Sequence, residues 1–280
     1  MKTTKRNMFK RRGAGEVRVL NVKPSRDHGD DWEMPEVEPG LNLPTSDQVQ
    51  QLPNEYDTRE QVPSPLNRVY NQGQSGACVG FATAVCLEQA LWKAKKLRRV
   101  QERYRPSPWY LHMQSKELDR YKVRATTMLI MSGTYIKDCI HPLLEHGSAT
   151  NRMFDKDDIL VSTPEEQWAI QCRRMKIKSY HRVSPWGRGN NYEGYKWWLF
   201  KHGPILTRLV VDQQFMRGNH VMERYKGDTN YGHAVCVVAY KPGYFLVRNS
   251  WGDRWGDDGY QWVSVAYARM AFTESYGIIV

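Results

Sequence analysis

Apolar and polar positions change their spacing along this chain. Residues 1–50 show little apolar periodicity, and from about Leu52 the hydrophobic positions begin to recur regularly. Across residues 78–97, Phe81, Ala82, Val85, Leu87, Ala90 and Leu91 fall near helical spacing, and the basic residues that follow suit the negative end of a helix dipole. Residues 134 to about 146 carry Ile136, Ile140, Leu143 and Leu144 and stop at Gly147, predicting a second helix. Residues 191–202, closed by Gly203-Pro204, predict a third. The period then shortens. Residues 205–211, 233–240, 244–249 and 260–265 are β-rich runs separated by Gly, Pro, Asp and Asn turns. Helices first and antiparallel strands later predict an α+β fold of two lobes, with the cleft between them as the natural place for chemistry.

Composition divides the chain at the same point. Residues 1–50 run from a basic stretch into an acidic one interrupted by Pro24, Pro35, Pro39 and Pro44, and read as an extended arm with too little apolar surface to offset its ordering entropy. Residues 51–280 read as the globular domain, with a left lobe of about 51–155 and a right lobe of about 156–280. The net charge of +11 is concentrated in two places: residues 1–26 contribute +8 and residues 93–105 contribute +6, so the remainder is slightly acidic. Docking of residues 1–26 on a protein partner or an anionic surface follows more naturally than a basic nucleic-acid-binding fold. No apolar run approaches the roughly 18 residues of a membrane span, mean hydropathy is −0.69, and the basic N-terminus lacks the apolar core of a secretory signal. Five scattered cysteines form no disulfide framework and favour a reducing compartment, either the cytoplasm or, for a phage-encoded chain, the virion.

Three separated segments carry candidate chemistry. In Gln72-Gly73-Gln74-Ser75-Gly76-Ala77-Cys78 a glycine-rich loop delivers a cysteine to the first turn of an apolar helix, where unpaired N–H groups favour a thiolate. Gln72 precedes it by six residues, and its amide could curl back as a donor. His233 opens the apolar run of residues 233–240, which places it at a strand edge. Asn249 ends the following run and precedes Ser250-Trp251-Gly252-Asp253-Arg254-Trp255-Gly256. Lys241-Pro242-Gly243 reads as a hairpin turn, and pairing the two runs brings Asn249 toward His233, where an amide oxygen could orient the imidazole. Taken singly, a buried core cysteine, a rim histidine and a turn-forming asparagine are the ordinary readings.

Together, Q-G-x-S-G-x-C (residues 72–78), G-H-A-V (residues 232–235) and N-S-W-G-x-x-W-G (residues 249–256) resemble, in order, the motifs of the papain-like cysteine peptidases. Leu52-Pro53 with Asp57 and Arg59, Ser132-Gly133, and His202-Gly203-Pro204 extend the resemblance over roughly residues 52–280. The resemblance implies a helical left lobe with the nucleophile, a β-rich right lobe, and an endopeptidase working through an acyl-enzyme on a polypeptide substrate. It implies Cys78 as nucleophile paired with His233, with Asn249 orienting the histidine. Gln72 and the Cys78 N–H would form the oxyanion hole, Trp251 would shield the His233–Asn249 bond, and Gly133, Thr134 and Tyr135 would border the substrate. No cofactor is implied.

Two departures stand out. Val79 occupies the position after the nucleophile where the family usually has Trp, and Ser75 replaces a cysteine that normally forms a disulfide. The missing cysteine fits a reducing compartment and resembles prokaryotic and phage members more than lysosomal ones. No helical inhibitory proregion is recognisable in residues 1–50, which leaves room for a structural or assembly role docked through that arm. Cys139, His141 and His146 fit no zinc spacing, and Asp253, Asp257 and Asp258 lack the rest of a calcium loop, so no metal is expected.

Overall fold

The computed structural model describes residues 8–10, 17–20, 22–25, 50–118, 131–156, 170–183, 192–218 and 221–280. Helix α1 (Cys78–Lys93) is its axis. Every residue from Cys78 to Leu91 is buried, as expected of a helix apolar on nearly all sides and built largely of Ala, Gly, Val and Leu. It ends at Lys93, four residues before the predicted stop, and Lys95 takes a left-handed conformation. The basic residues 95–105 therefore lie beyond the helix. Helices α2 (Pro108–Leu118) and α3 (Ile136–Glu145) complete the helical lobe. Helix α2, absent from the periodicity reading, begins on a proline at its first position, with the Ser107 hydroxyl accepting from the Tyr110 N–H.

The other lobe is built on one antiparallel sheet. Strands β1 (Met8–Lys10) and β2 (Val17–Val19) form a separate N-terminal pair. The main sheet contains β3 (Tyr56–Asp57), β4 (Ser179–Arg182), β5 (Ile205–Val211), β6 (Tyr231–Lys241), β7 (Tyr244–Arg248), β8 (Tyr260–Ser264) and β9 (Phe272–Ile279). Their order is β4-β9-β5-β6-β7-β8, with β3 also paired to β6. The hairpin predicted at residues 241–243 joins β6 to β7. Helices α4 (Glu193–Lys201), α5 (Gln213–Arg217) and α6 (Val265–Ala271) pack around this sheet.

Strand β6 explains how the lobes meet. Its side chains alternate between two cores: Ala234, Cys236 and Val238 pack with the Val79, Ala82, Val85 and Cys86 cluster of α1, while Val235 and Val237 join the aromatic core of Trp198, Phe215, Trp251 and Trp255. Burial on both faces is why its sequence reads as an unbroken apolar run. His233 is the third residue of the strand and fully buried, so it sits within the sheet and not at the strand edge as expected.

One charged group lies inside this apolar frame. Glu88 of α1 is completely buried, and Arg105 grips its carboxylate with two N–H donors at 2.6 and 2.9 Å. Tyr70 donates its hydroxyl to Glu88 at 3.2 Å, and Arg248 lies 3.7 Å away. The arginines also donate to the Pro65, Leu66 and Arg68 carbonyls, so this network fastens the segment before the Cys78 loop to both lobes.

Candidate active site

The three motifs converge where the N-terminus of α1 meets β6. Gly76 lets the loop pass this tightly: a Cβ there would stand 2.7 Å from the Ser132 carbonyl carbon, so Cys78 is delivered against the Met131–Thr134 segment. The loop is closed by Gln72, whose backbone N–H donates to Ser250 O at 2.9 Å and whose side-chain carbonyl accepts from the Ser250 hydroxyl at 2.6 Å. Its Nε2 donates to Ser75 O at 2.8 Å, which leaves the second N–H of that amide for another acceptor.

Cys78 is fully buried. Burial pushes its thiol up to about 11, while the backbone N–H groups of Ala234, Val79 and Cys78 itself, together with the charge of Arg208, favour the thiolate. The Ala234 contact places the sulfur beside the residue that follows His233. His233 Nε2 is 2.7 Å from Asn249 Oδ1, which also accepts from the Ser250 N–H at 2.8 Å. An acceptor at Nε2 requires the proton there, which turns Nδ1 into the nitrogen available to a thiol. Trp251 lies over the imidazole with ring centroids 4.5 Å apart and a 31° interplanar angle, and Phe215 packs edge-on against both rings. Trp255 supports Phe215 from behind and donates its indole N–H to the Phe215 carbonyl. His233, Asn249 and Trp251 are all buried together.

The cleft above Cys78 is filled by the chain itself, a feature that composition did not reveal. Leu20 and Val22 of the N-terminal arm are buried. The Val22 N–H donates to Gly232 O at 3.1 Å on one lobe, and the Lys23 N–H donates to Thr134 O at 3.4 Å on the other. Lys23 Nζ stands 5.1 Å from the centre of the Tyr135 ring. The Val22 carbonyl accepts from Arg208 Nε at 3.1 Å, and the Ser25 N–H and hydroxyl both donate to the Glu274 carboxylate. Burial pushes the Glu274 carboxyl up and the Arg208 guanidinium down, and the Ser25 bonds and the opposite charges of the two groups work against those shifts. Thr134 and Tyr135 thus both contact Lys23 of the arm. The neighbouring Gly133 carbonyl accepts from Lys116 Nζ at 3.1 Å, and the arm itself pairs with the Thr134 carbonyl.

Arg208, Glu274 and Lys116 went unnoticed in the sequence, yet each carried a signal. A charged residue inside an apolar strand or helix is rarely buried without a partner. The other candidate groups are used locally. Cys139 donates to Leu111 O, His141 meets the Tyr180 hydroxyl, and His146 lies beside Glu145. Asp257 and Asp258 shape a turn into β8, with Asp257 bridged to Tyr260.

Known proteins carry the same architecture. The structure of xylellain, a cysteine protease from Xylella fastidiosa, superposes with a TM-score of 0.73 at 21% identity over 93% of this chain and 96% of that one. The model of the papain family cysteine proteases matches residues 148–278, which include His233, Asn249 and Trp251. Over that stretch the chain is similar to the papain family of cysteine proteases. Among similar proteins, macrodontain-1 of Ananas macrodontes is 23% identical over 75% of this chain and 87% of its own length. Cathepsin F of Drosophila melanogaster is 24% identical over 75% of this chain, which spans only 33% of that protein. A cysteine protease of Blomia tropicalis is 23% identical over 76% of this chain and 61% of its own length. The papain-family model begins after the Cys78 loop, so that segment lies outside the matched residues.

Proposed function

We propose that this chain is a cysteine endopeptidase whose own N-terminal arm keeps it latent. The reading rests on one arrangement: an imidazole oriented by Asn249 and roofed by Trp251, on the strand residue next to the N–H that faces Cys78 at a helix N-terminus. Cys78 transfers its proton to His233 and attacks the substrate carbonyl as a thiolate. Asn249 holds the imidazolium in place, and His233 then protonates the leaving amine. The developing oxyanion is met by the free N–H of the Gln72 amide and by the Cys78 backbone N–H, donors typically worth about 2.7–4 kcal/mol each. Water then enters through His233 acting as base and releases the acyl group.

The arm supplies the latency. It uses one backbone acceptor from each lobe, Gly232 O and Thr134 O, which an extended substrate would also need. The Val22 carbonyl is held by Arg208 Nε at 3.1 Å, which on this reading keeps it from the oxyanion donors and spares the arm from cleavage.

The test is a chain lacking residues 1–26, incubated with a thiol-directed peptidyl electrophile and separately with a denatured protein substrate. Stoichiometric labelling at Cys78 and substrate cleavage lost in Cys78→Ala are expected. A folded, reduced, arm-free protein that neither labels at Cys78 nor cleaves would overturn the proposal.

A further inference from the structure

A cysteine pair lies in the same interface, and the mechanism does not use it. Cys86 sits on α1 eight residues beyond Cys78, and Cys236 sits on β6 three residues beyond His233. Their sulfurs are 3.3 Å apart, both thiols are free, and both side chains are about 1% exposed. The residues are 150 apart in sequence and belong to opposite lobes. Cys236 Sγ also donates to the Ala82 carbonyl at 2.9 Å, which holds it against α1 one turn before Cys86.

We infer that Cys86 and Cys236 are a disulfide-forming pair that covalently ties the helix carrying Cys78 to the strand carrying His233. A disulfide needs the sulfurs at about 2.05 Å, so closure requires an approach of a little over 1 Å, within reach of side-chain rotation and a slight lobe adjustment. The oxidant is a small disulfide. One cysteine thiolate attacks oxidised glutathione and releases one glutathione; the second thiolate then attacks the mixed disulfide and releases the other. Two protein thiols lose two electrons, and the two liberated glutathiones take up the two protons.

Burial and the neighbouring sulfur push the Cys86 thiol above its ordinary value, so oxidation of the folded chain is slow at neutral pH and faster in mild alkali. The pair is sealed from solvent, so the bond forms when the lobes breathe or as the chain folds. Once made, it is equally sheltered from reductants. The link closes a loop of about 150 residues, which places it among the cross-links expected to stabilise most. It acts between the lobes and not at the sulfur of Cys78, so it is distinct from loss of the nucleophile by oxidation.

The test brings the full-length chain to equilibrium in a glutathione redox buffer at pH 8.5 from two directions, starting either folded and reduced or refolded from denaturant. After alkylation, free thiols are counted and peptides mapped. The expected result is a mass lower by about 2 Da before alkylation, a fall from five free thiols to three, and a Cys86–Cys236 peptide. A rise in Tm of roughly 5–10 °C should accompany it and be absent in Cys86→Ser and Cys236→Ser. Five free thiols from both directions, a link involving any other cysteine, or a linked form with no gain in Tm would each overturn the inference. The readout is independent of peptidase activity, so its failure is distinguishable from failure of the functional proposal.

Discussion

Leu20→Ala tests whether the arm is a latch. Leu20 is completely buried in the aromatic core that also holds Val211 and Phe215, and it lies two residues before the backbone that bridges the cleft. Buried Leu→Ala substitutions cost about 2–5 kcal/mol, and a segment at the edge of a core relaxes around part of the lost volume, so about 2–3 kcal/mol is the appropriate figure. That cost falls on the docked state alone, because an undocked arm leaves Leu20 in water in either variant. At about 1.4 kcal/mol per tenfold, the undocked fraction rises roughly 30- to 150-fold. Cys78 is reachable only in that fraction, so its rate of alkylation by iodoacetamide, followed at the peptide level, rises by the same factor up to the ceiling set by deleting residues 1–26. A Leu20→Ala rate within twofold of the parent, while the deletion accelerates strongly, would refute the reasoning about Leu20. If the deletion itself fails to accelerate labelling, the arm does not guard the thiol at all.

Other expectations follow from the same geometry. Burial pushes the Cys78 thiol up to about 11, so alkylation of the intact chain climbs through that pH; removing the arm removes part of the burial, leaves Arg208 and the N–H donors in place, and moves the midpoint down. A midpoint unmoved by the deletion would contradict this. Asn249→Ala in the arm-free chain removes the 2.7 Å bond to His233 and should lower kcat about 10- to 100-fold with KM little changed, a charge-assisted bond being worth about 1.5–3 kcal/mol; an unchanged kcat would remove its orienting role. Glu88→Gln leaves Arg105 and Arg248 without their carboxylate inside the protein and should cost about 3–5 kcal/mol in a denaturant titration, against under 1 kcal/mol if the network were merely ornamental.

Two of the candidate catalytic residues, Cys78 and Asn249, were legible because each lies at a loop-to-element junction whose local chemistry is written in adjacent residues. Cys78 follows a glycine-rich loop, and Asn249 precedes the paired tryptophans. The hairpin between β6 and β7 supplied the one long-range step, and it needed only a turn of three residues to bring Asn249 to His233. The arm was illegible for the opposite reason. Its overall composition is that of an extended tail, and the apolar alternation from Val17 to Val22 is too brief to announce burial without the cleft it enters. Residues such as Arg208 and Glu274 take their meaning from partners more than 180 positions away, Val22 and Ser25, which no local pattern reports. The odd cysteine count pointed to a reducing compartment. The Cys86–Cys236 contact makes that inference conditional, since this chain also has a bond it could form in an oxidising one.

Gly232 gives the latch a genetic dimension. A Cβ on this residue would stand 2.0 Å from the Val22 carbonyl oxygen and 2.7 Å from Arg208 Nη2, so the seated arm and any side chain there are mutually exclusive. Gly232 neither reacts nor orients a reacting group. On the proposed latency, a side chain at this position would unseat the arm without any change at Cys78, His233 or Asn249.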